Sequence, residues 1–182
     1  MLYTGKGDGG TTKTIDTPER VSKSSFVAEA LGNLDELNSL LGVVKVKASA
    51  SQYEIGGKQF SDIILDVQQN IFTVSAGLAG SDKMLSEAKV KDVESLIAKA
   101  EVELPPITTF SIAGGTELSA LFDFARTLAR RAERRVVAVR DEGKEVDAET
   151  LKYLNRLSSL LFALARLSSL RSGIKESAPS YT

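Results

Sequence analysis

Residues 24–47 read SSFVAEALGNLDELNSLLGVVKVK, and the spacing of their apolar side chains decides the fold. Val27, Ala30, Leu34, Leu37, Leu41 and Val44 follow one another at steps of 3, 4, 3, 4 and 3. At about 100° per residue these steps line one face of a helix, whereas a strand would alternate in twos. The same period returns in Ile64, Val67, Ile71, Val74 and Leu78, ending at Gly80. It returns again in Val90, Val93, Ile97, Ala100 and Leu104, starting after Ser86 and stopping at Pro105-Pro106. A proline ring disfavours the helical conformation of the residue before it, so the stop is steric. A fourth segment covers about Thr116–Arg140, and a fifth about Asp147–Arg171 with Leu154, Leu157, Leu161 and Leu164 inside. The expected fold is all-α, a five-helix up-and-down bundle, because short connections leave neighbouring helices antiparallel. The exception is Ser49–Lys58, a polar stretch with Gly56-Gly57 that is expected to be an exposed, mobile connection. With no internal repeat, residues 1–182 read as one domain: an N-terminal segment 1–23, a bundle 24–171 and a flexible tail 172–182.

What is missing narrows the chemistry. The 182 residues contain no His and no Cys, which excludes a Ser-His-Asp triad, a cysteine nucleophile, a structural zinc site and an imidazole ligand to a haem or corrin. No side-chain metal site is expected, and any metal would be carboxylate-bound, phosphate-bound or already inside a ligand. Hydrophobic residues at 42% and charged residues at 26% match a globular chain. No apolar run reaches the ~20 residues of a membrane helix, and no signal peptide opens the chain, so a soluble cytoplasmic protein is expected. A net charge of −1 argues against nucleic-acid binding driven by overall charge.

Two local features could carry function. Residues 4–12, TGKGDGGTT, hold four glycines, one lysine and three threonines. Glycines let successive N–H groups turn toward an anion, lysine adds charge, and threonine hydroxyls bond phosphate oxygens or hydrated Mg²⁺. The spacing is not that of a Walker loop, and composition alone suits a flexible terminal loop equally well. The second feature lies in residues 110–140, where six of the ten arginines fall between Arg126 and Arg140 with Glu133 as the one acid among them. On a helical wheel Arg126, Arg130 and Glu133 lie within about 60° of each other, beside the stripe Leu118, Phe122, Ala125, Ala129, Ala132 and Val136. At that border a guanidinium needs an anion. Arg131 and Arg135 fall on the opposite side, toward solvent or a neighbour. Asp35 and Asn38 on the first helix and Asn155 on the fifth follow buried positions in the same way, which suggests a polar seam.

Taken in order, TGKGDGGTT, RVSK, LGNLDELNSLLG, FSIAGGTELSALFDFARTLARRAERRVVA and YLNRLSSLLFALAR resemble the PduO-type ATP:corrinoid (cob(I)alamin) adenosyltransferases over residues 3–166. The resemblance implies a ferritin-like five-helix bundle with a short β-like phosphate-binding start, assembled as a homotrimer with ATP and a corrinoid bound at each subunit interface. It implies that Thr4, Gly5, Lys6, Gly7, Gly10, Thr11, Thr12 and Lys23 wrap the ATP phosphates, with Mg²⁺. Arg130 and Glu133 would come from the adjoining subunit's fourth helix, and Asn155 from the LNRLS helix. Arg126 would pair with Asp35 across the interface, and Phe110 would lie beside the lower face of the corrin. A reductase and a B12-dependent acceptor enzyme would be the partners. Ala113 stands where the family has proline, Asp123-Phe124 replaces a histidine, Ser159 replaces an aspartate and Val27 an arginine. Two other readings are an RNA- or partner-binding bundle, against which the net charge of −1 and the absence of Trp or an aromatic row argue, and a module that binds ATP without chemistry, which the sequence leaves open.

Overall fold

The computed structural model describes residues 2–15 and 18–181. It contains the five expected helices: α1 (Phe26–Ser51), α2 (Phe60–Leu78), α3 (Glu87–Glu103), α4 (Glu117–Asp141) and α5 (Ala148–Arg171). Their starts are set locally. Ser25 accepts from the Ala28 N–H, and Asp147 from the Thr150 N–H at 2.8 Å. Thr116 and Ser119 cap each other reciprocally, Thr116 Oγ1 accepting from the Ser119 N–H at 3.0 Å. Each cap satisfies a backbone donor that the first turn leaves without a partner.

Helices α1, α4 and α5 form the centre, with α2 packed on α1 and α3 on α5. The ion pairs Lys47–Glu117 and Arg131–Glu36 show α1 running antiparallel to α4. The core follows the periodic stripes: Leu34, Leu37, Leu41, Phe122, Ala125, Ala129, Ala132, Leu154, Leu157 and Leu161 are fully buried. The row of alanines on α4 gives little bulk, which lets neighbouring helices approach its backbone.

The 49–58 region differs from expectation. Helix α1 continues to Ser51, and the segment then forms a small hairpin of β3 (Glu54–Ile55) and β4 (Lys58–Gln59), named after β1 (Thr11–Lys13) and β2 (Arg20–Ser22) near the N-terminus. Gly56 and Gly57 turn it with φ of 58° and 78°, the paired left-handed backbone that a two-residue hairpin loop requires. Ile55 is buried, and Tyr53 meets Phe60 edge-on at 6.0 Å. The segment is anchored to the bundle by these apolar contacts.

One buried polar contact ties α2 to α5. Asn70 Nδ2 donates to the Tyr153 hydroxyl at 3.1 Å, and burial pushes the pKa of that hydroxyl well above its usual range. It therefore stays protonated and neutral. Tyr153→Phe should leave the Asn70 amide without its partner and lower the unfolding free energy by about 1–2 kcal/mol, read by chemical denaturation. An unchanged midpoint would show that the amide finds another acceptor.

Candidate active site

The site is built in three parts along the bundle. The first is the N-terminal segment, where Asp8 N–H donates to Gly5 O at 3.2 Å and Gly10 N–H to Gly7 O at 3.1 Å. Gly5 and Gly10 have φ of 68° and 77°, left-handed values that suit glycine. Strands β1 and β2 then pair Thr11 with Ser22 and Thr12 with Val21. This places Lys23 over the loop: its N–H donates to Gly10 O at 2.9 Å, and its Nζ would lie 3.2 Å from a Cβ added at Gly7. Thr4, Gly5, Lys6, Gly7, Gly10, Thr11, Thr12 and Lys23 are thus one local cluster carrying two lysines. Arg20, which sequence reasoning passed over, holds it by donating to Thr11 Oγ1 at 2.8 Å and Thr11 O at 2.7 Å. Its position across the hairpin from β1 was the available signal.

The second part is the face shared by α4 and α5. Asn155 Nδ2 donates to Glu133 Oε1 at 2.9 Å, and Arg156 Nη1 donates to Asn155 Oδ1 at 2.7 Å. Arg130, one turn before Glu133, is exposed and has no hydrogen-bond or ion-pair partner among the described residues. Arg126 is partly buried, donates to Asp123 Oδ1 at 3.2 Å and lies over the Phe162 ring at 5.8 Å. Its anion within the subunit is therefore Asp123. Asp35 is exposed on α1 and has no such partner among the described residues. Arg131 stays partly exposed and pairs with Glu36 at the surface, bridging α4 to α1. Arg135 is exposed.

The third part is a cavity of about 520 Å³ between the 104–111 segment, α5 and the C-terminal residues, with Phe110, Phe162 and Arg166 in its wall. Phe110 is 79% exposed, so its ring is not a core plug. A smaller space of about 170 Å³ adjoins it and reaches Asp123, with Phe162 and Arg166 lining both. Gly115 is held close to α5, since a Cβ there would meet Ser169 Oγ at 2.7 Å. The tail expected to be flexible is laid back along this wall. Glu176 accepts from Arg166 Nε at 2.7 Å and Nη2 at 2.9 Å, and Ser177 O accepts from the Ile112 N–H at 2.8 Å. Arg166 is 8% exposed and also donates to Pro105 O, so its charge explains why the tail docks. Neither Phe162 nor the Arg166–Glu176 pair was singled out from sequence, where an arginine in an apolar run was the available sign.

From the cavity, Asp123, Arg126, Arg130 and Glu133 follow one another along one side of α4 over about 15 Å. An apolar cavity therefore runs into a row of cations that ends in an acid and an amide. The residues that could wrap phosphates, Thr4–Thr12 and Lys23, make no hydrogen bond to α4 or α5 among the described residues. Among the described residues no group of three or more acidic side chains could hold a metal ion, and no helix is long and apolar enough to cross a membrane.

The family model for cobalamin adenosyltransferase matches residues 2–168. The chain belongs to this family. The corrinoid adenosyltransferase of Bacillus subtilis (strain 168) is 37% identical over 177 residues, covering 95% of this chain and 89% of that one. The Homo sapiens corrinoid adenosyltransferase MMAB is 35% identical over 185 residues, covering 96% and 71%. Among solved structures, a phenylalanine-to-histidine variant of a PduO-type ATP:corrinoid adenosyltransferase from Lactobacillus reuteri, complexed with cobalamin and ATP, superposes with a TM-score of 0.87 at 28% identity. The overlap covers 100% of this chain and 97% of that one. Among the described residues helices dominate and the strands form two short antiparallel pairs.

Proposed function

We propose that the chain transfers the 5′-deoxyadenosyl group of ATP to the cobalt of cob(I)alamin, releasing adenosylcobalamin and triphosphate. The observation that carries this reading is Arg130, an exposed guanidinium without a partner among the described residues, set between the Glu133–Asn155 pair and the row leading to the Phe110 cavity. As a family member the chain is a transferase acting on a corrinoid with ATP. The cobalt of the reduced corrinoid supplies the electron pair that attacks C5′, and the C5′–O bond breaks toward the triphosphate. That chemistry needs no protein base, in keeping with a chain that lacks His and Cys.

The protein's work is positioning and charge. Lys6, Lys23 and Arg130 offset the charge that gathers on the leaving triphosphate, while the glycine N–H groups and Thr4, Thr11 and Thr12 hold its oxygens. Glu133 is the carboxylate suited to a Mg²⁺ that arrives with the phosphates, since Mg²⁺ commonly takes one or two protein carboxylates plus substrate oxygens. Phe110 lies under the corrin and keeps a lower ligand off the cobalt. A homotrimer brings one subunit's glycine-rich loop to another's Arg130 and Glu133, which suits a loop that, among the described residues, bonds to neither α4 nor α5 of its own chain. A cytoplasmic reductase would deliver the electron that forms cob(I)alamin, and a B12-dependent enzyme would accept the product. A spectrophotometric assay with ATP, a reductant and cob(II)alamin tests the activity: a photolabile alkylcobalt product is expected, and its absence with ATP bound would leave an ATP-binding bundle.

The same assembly makes Asp35 and Arg126 partners across subunits. Either alanine substitution should cost about 1–3 kcal/mol in assembly or activity, and the double variant less than the sum. Asp123 keeps an anion beside Arg126 in the free subunit, so Asp35→Ala should be the milder single change. Strict additivity in the cycle would separate the two residues.

A further inference from the structure

The Glu133–Asn155 pair does not stand alone. Arg156, the next residue on α5, donates through Nη1 to Asn155 Oδ1 at 2.7 Å and through Nε to Glu94 Oε1 of α3 at 3.0 Å. Four side chains from three helices therefore form one chain of bonds: Glu94, Arg156, Asn155, Glu133. We infer that Arg156, anchored by Glu94, is a positioning residue for nucleotide binding, fixing the Asn155 side chain through its carbonyl while Glu133 takes the amide. The inference rests on the reading of Asn155 and Glu133 as ATP-facing.

The physical need is clear from the groups involved. The two ends of an asparagine amide are alike in shape and opposite in hydrogen bonding, so one partner leaves the side chain free to swing with it. Glu133 is itself flexible and can follow the amide through several rotamers. A second bond at the carbonyl, from a guanidinium held by another helix, selects one orientation. Arginine suits this role because its fork serves Asn155 and Glu94 at once, which a lysine point charge would not. Side chains behind a binding residue commonly set its orientation in this way, and losing one weakens binding on the order of 10-fold.

An unrelated structural role is separable by measurement. Both members of the Arg156–Glu94 pair are substantially exposed, at 40% and 47%, and such pairs contribute little to stability. Arg156→Met keeps the aliphatic stem and should leave helix content and melting temperature unchanged while weakening ATP binding about 10-fold by calorimetry without corrinoid. Glu94→Ala should weaken it about 3-fold, because it frees Arg156. The sign of that second effect is diagnostic: if Arg156 served only as a charge near the phosphates, removing the neighbouring acid would tighten ATP binding. In an Asn155→Ala background neither substitution should weaken binding further. Tighter binding by Glu94→Ala, or an Arg156→Met effect that adds in full to Asn155→Ala, would overturn the inference. Wild-type ATP affinity in Asn155→Ala alone would instead remove the nucleotide-site reading on which it rests.

Discussion

Arg130→Ala is expected to slow adenosyl transfer on the order of 10²-fold or more, with helices and assembly intact. The guanidinium is exposed and has no bond to another described residue, so nothing in the fold is left unpaired when it goes. Its loss instead removes charge-assisted donors from the oxygens that become the leaving group, where negative charge rises as the C5′–O bond opens. ATP binding should fall less than turnover, since the contact strengthens in the transition state. Arg130→Lys should recover part of the rate, because it restores the charge without the planar fork. Steady-state kinetics with saturating ATP and cob(I)alamin decide the matter: turnover close to that of the unmodified protein would place Arg130 on a merely solvated face.

The second large effect concerns Phe110. At 79% exposure its ring contributes little to the core, so Phe110→Ala should stay folded and bind ATP almost normally. Activity that starts from cob(II)alamin should nevertheless be lost for the most part. With the ring gone, water or the corrin's own base can reach the lower face of the cobalt, and an axial donor makes reduction of Co(II) harder. The absorption band of the four-coordinate species should vanish with it. Activity that starts from preformed cob(I)alamin should fall less, because cobalt in that state has little affinity for a lower ligand. Equal losses with both corrinoids, or a loss of ATP affinity first, would move Phe110 out of this role. The exposure already sets aside the simplest competing view, that a phenyl ring after two prolines is a core plug.

Much of this protein was legible in its sequence because the signals are local. The apolar stripes, the stop at Pro105 and the side chains that cap α1, α4 and α5 each act within a turn or two of chain, and the five helices form on the stripes, with α1 running on to Ser51 beyond the expected Lys47. The glycine-rich loop and the Arg126, Arg130, Glu133 face are likewise properties of neighbouring residues. The hairpin at 54–59 escaped notice because two-residue strands are too short to show an alternating pattern, although Gly56-Gly57 marked its turn.

Only the tertiary structure decided which residues meet across helices. Asn155 bonds Glu133 because α4 and α5 pack antiparallel, and Arg131 turns to Glu36 because α1 lies against the other flank of α4. Arg126 finds its anion within the subunit on its own helix, at Asp123 three positions before it, and only the packing of α5 against α4 brings the Phe162 ring under its guanidinium. The docking of the tail follows from Arg166, whose burial creates a demand for charge that Glu176 meets. Periodicity and capping are short-range and can be read along the chain. Ion-pair choice and cavity walls depend on the distances that packing creates between residues far apart in it.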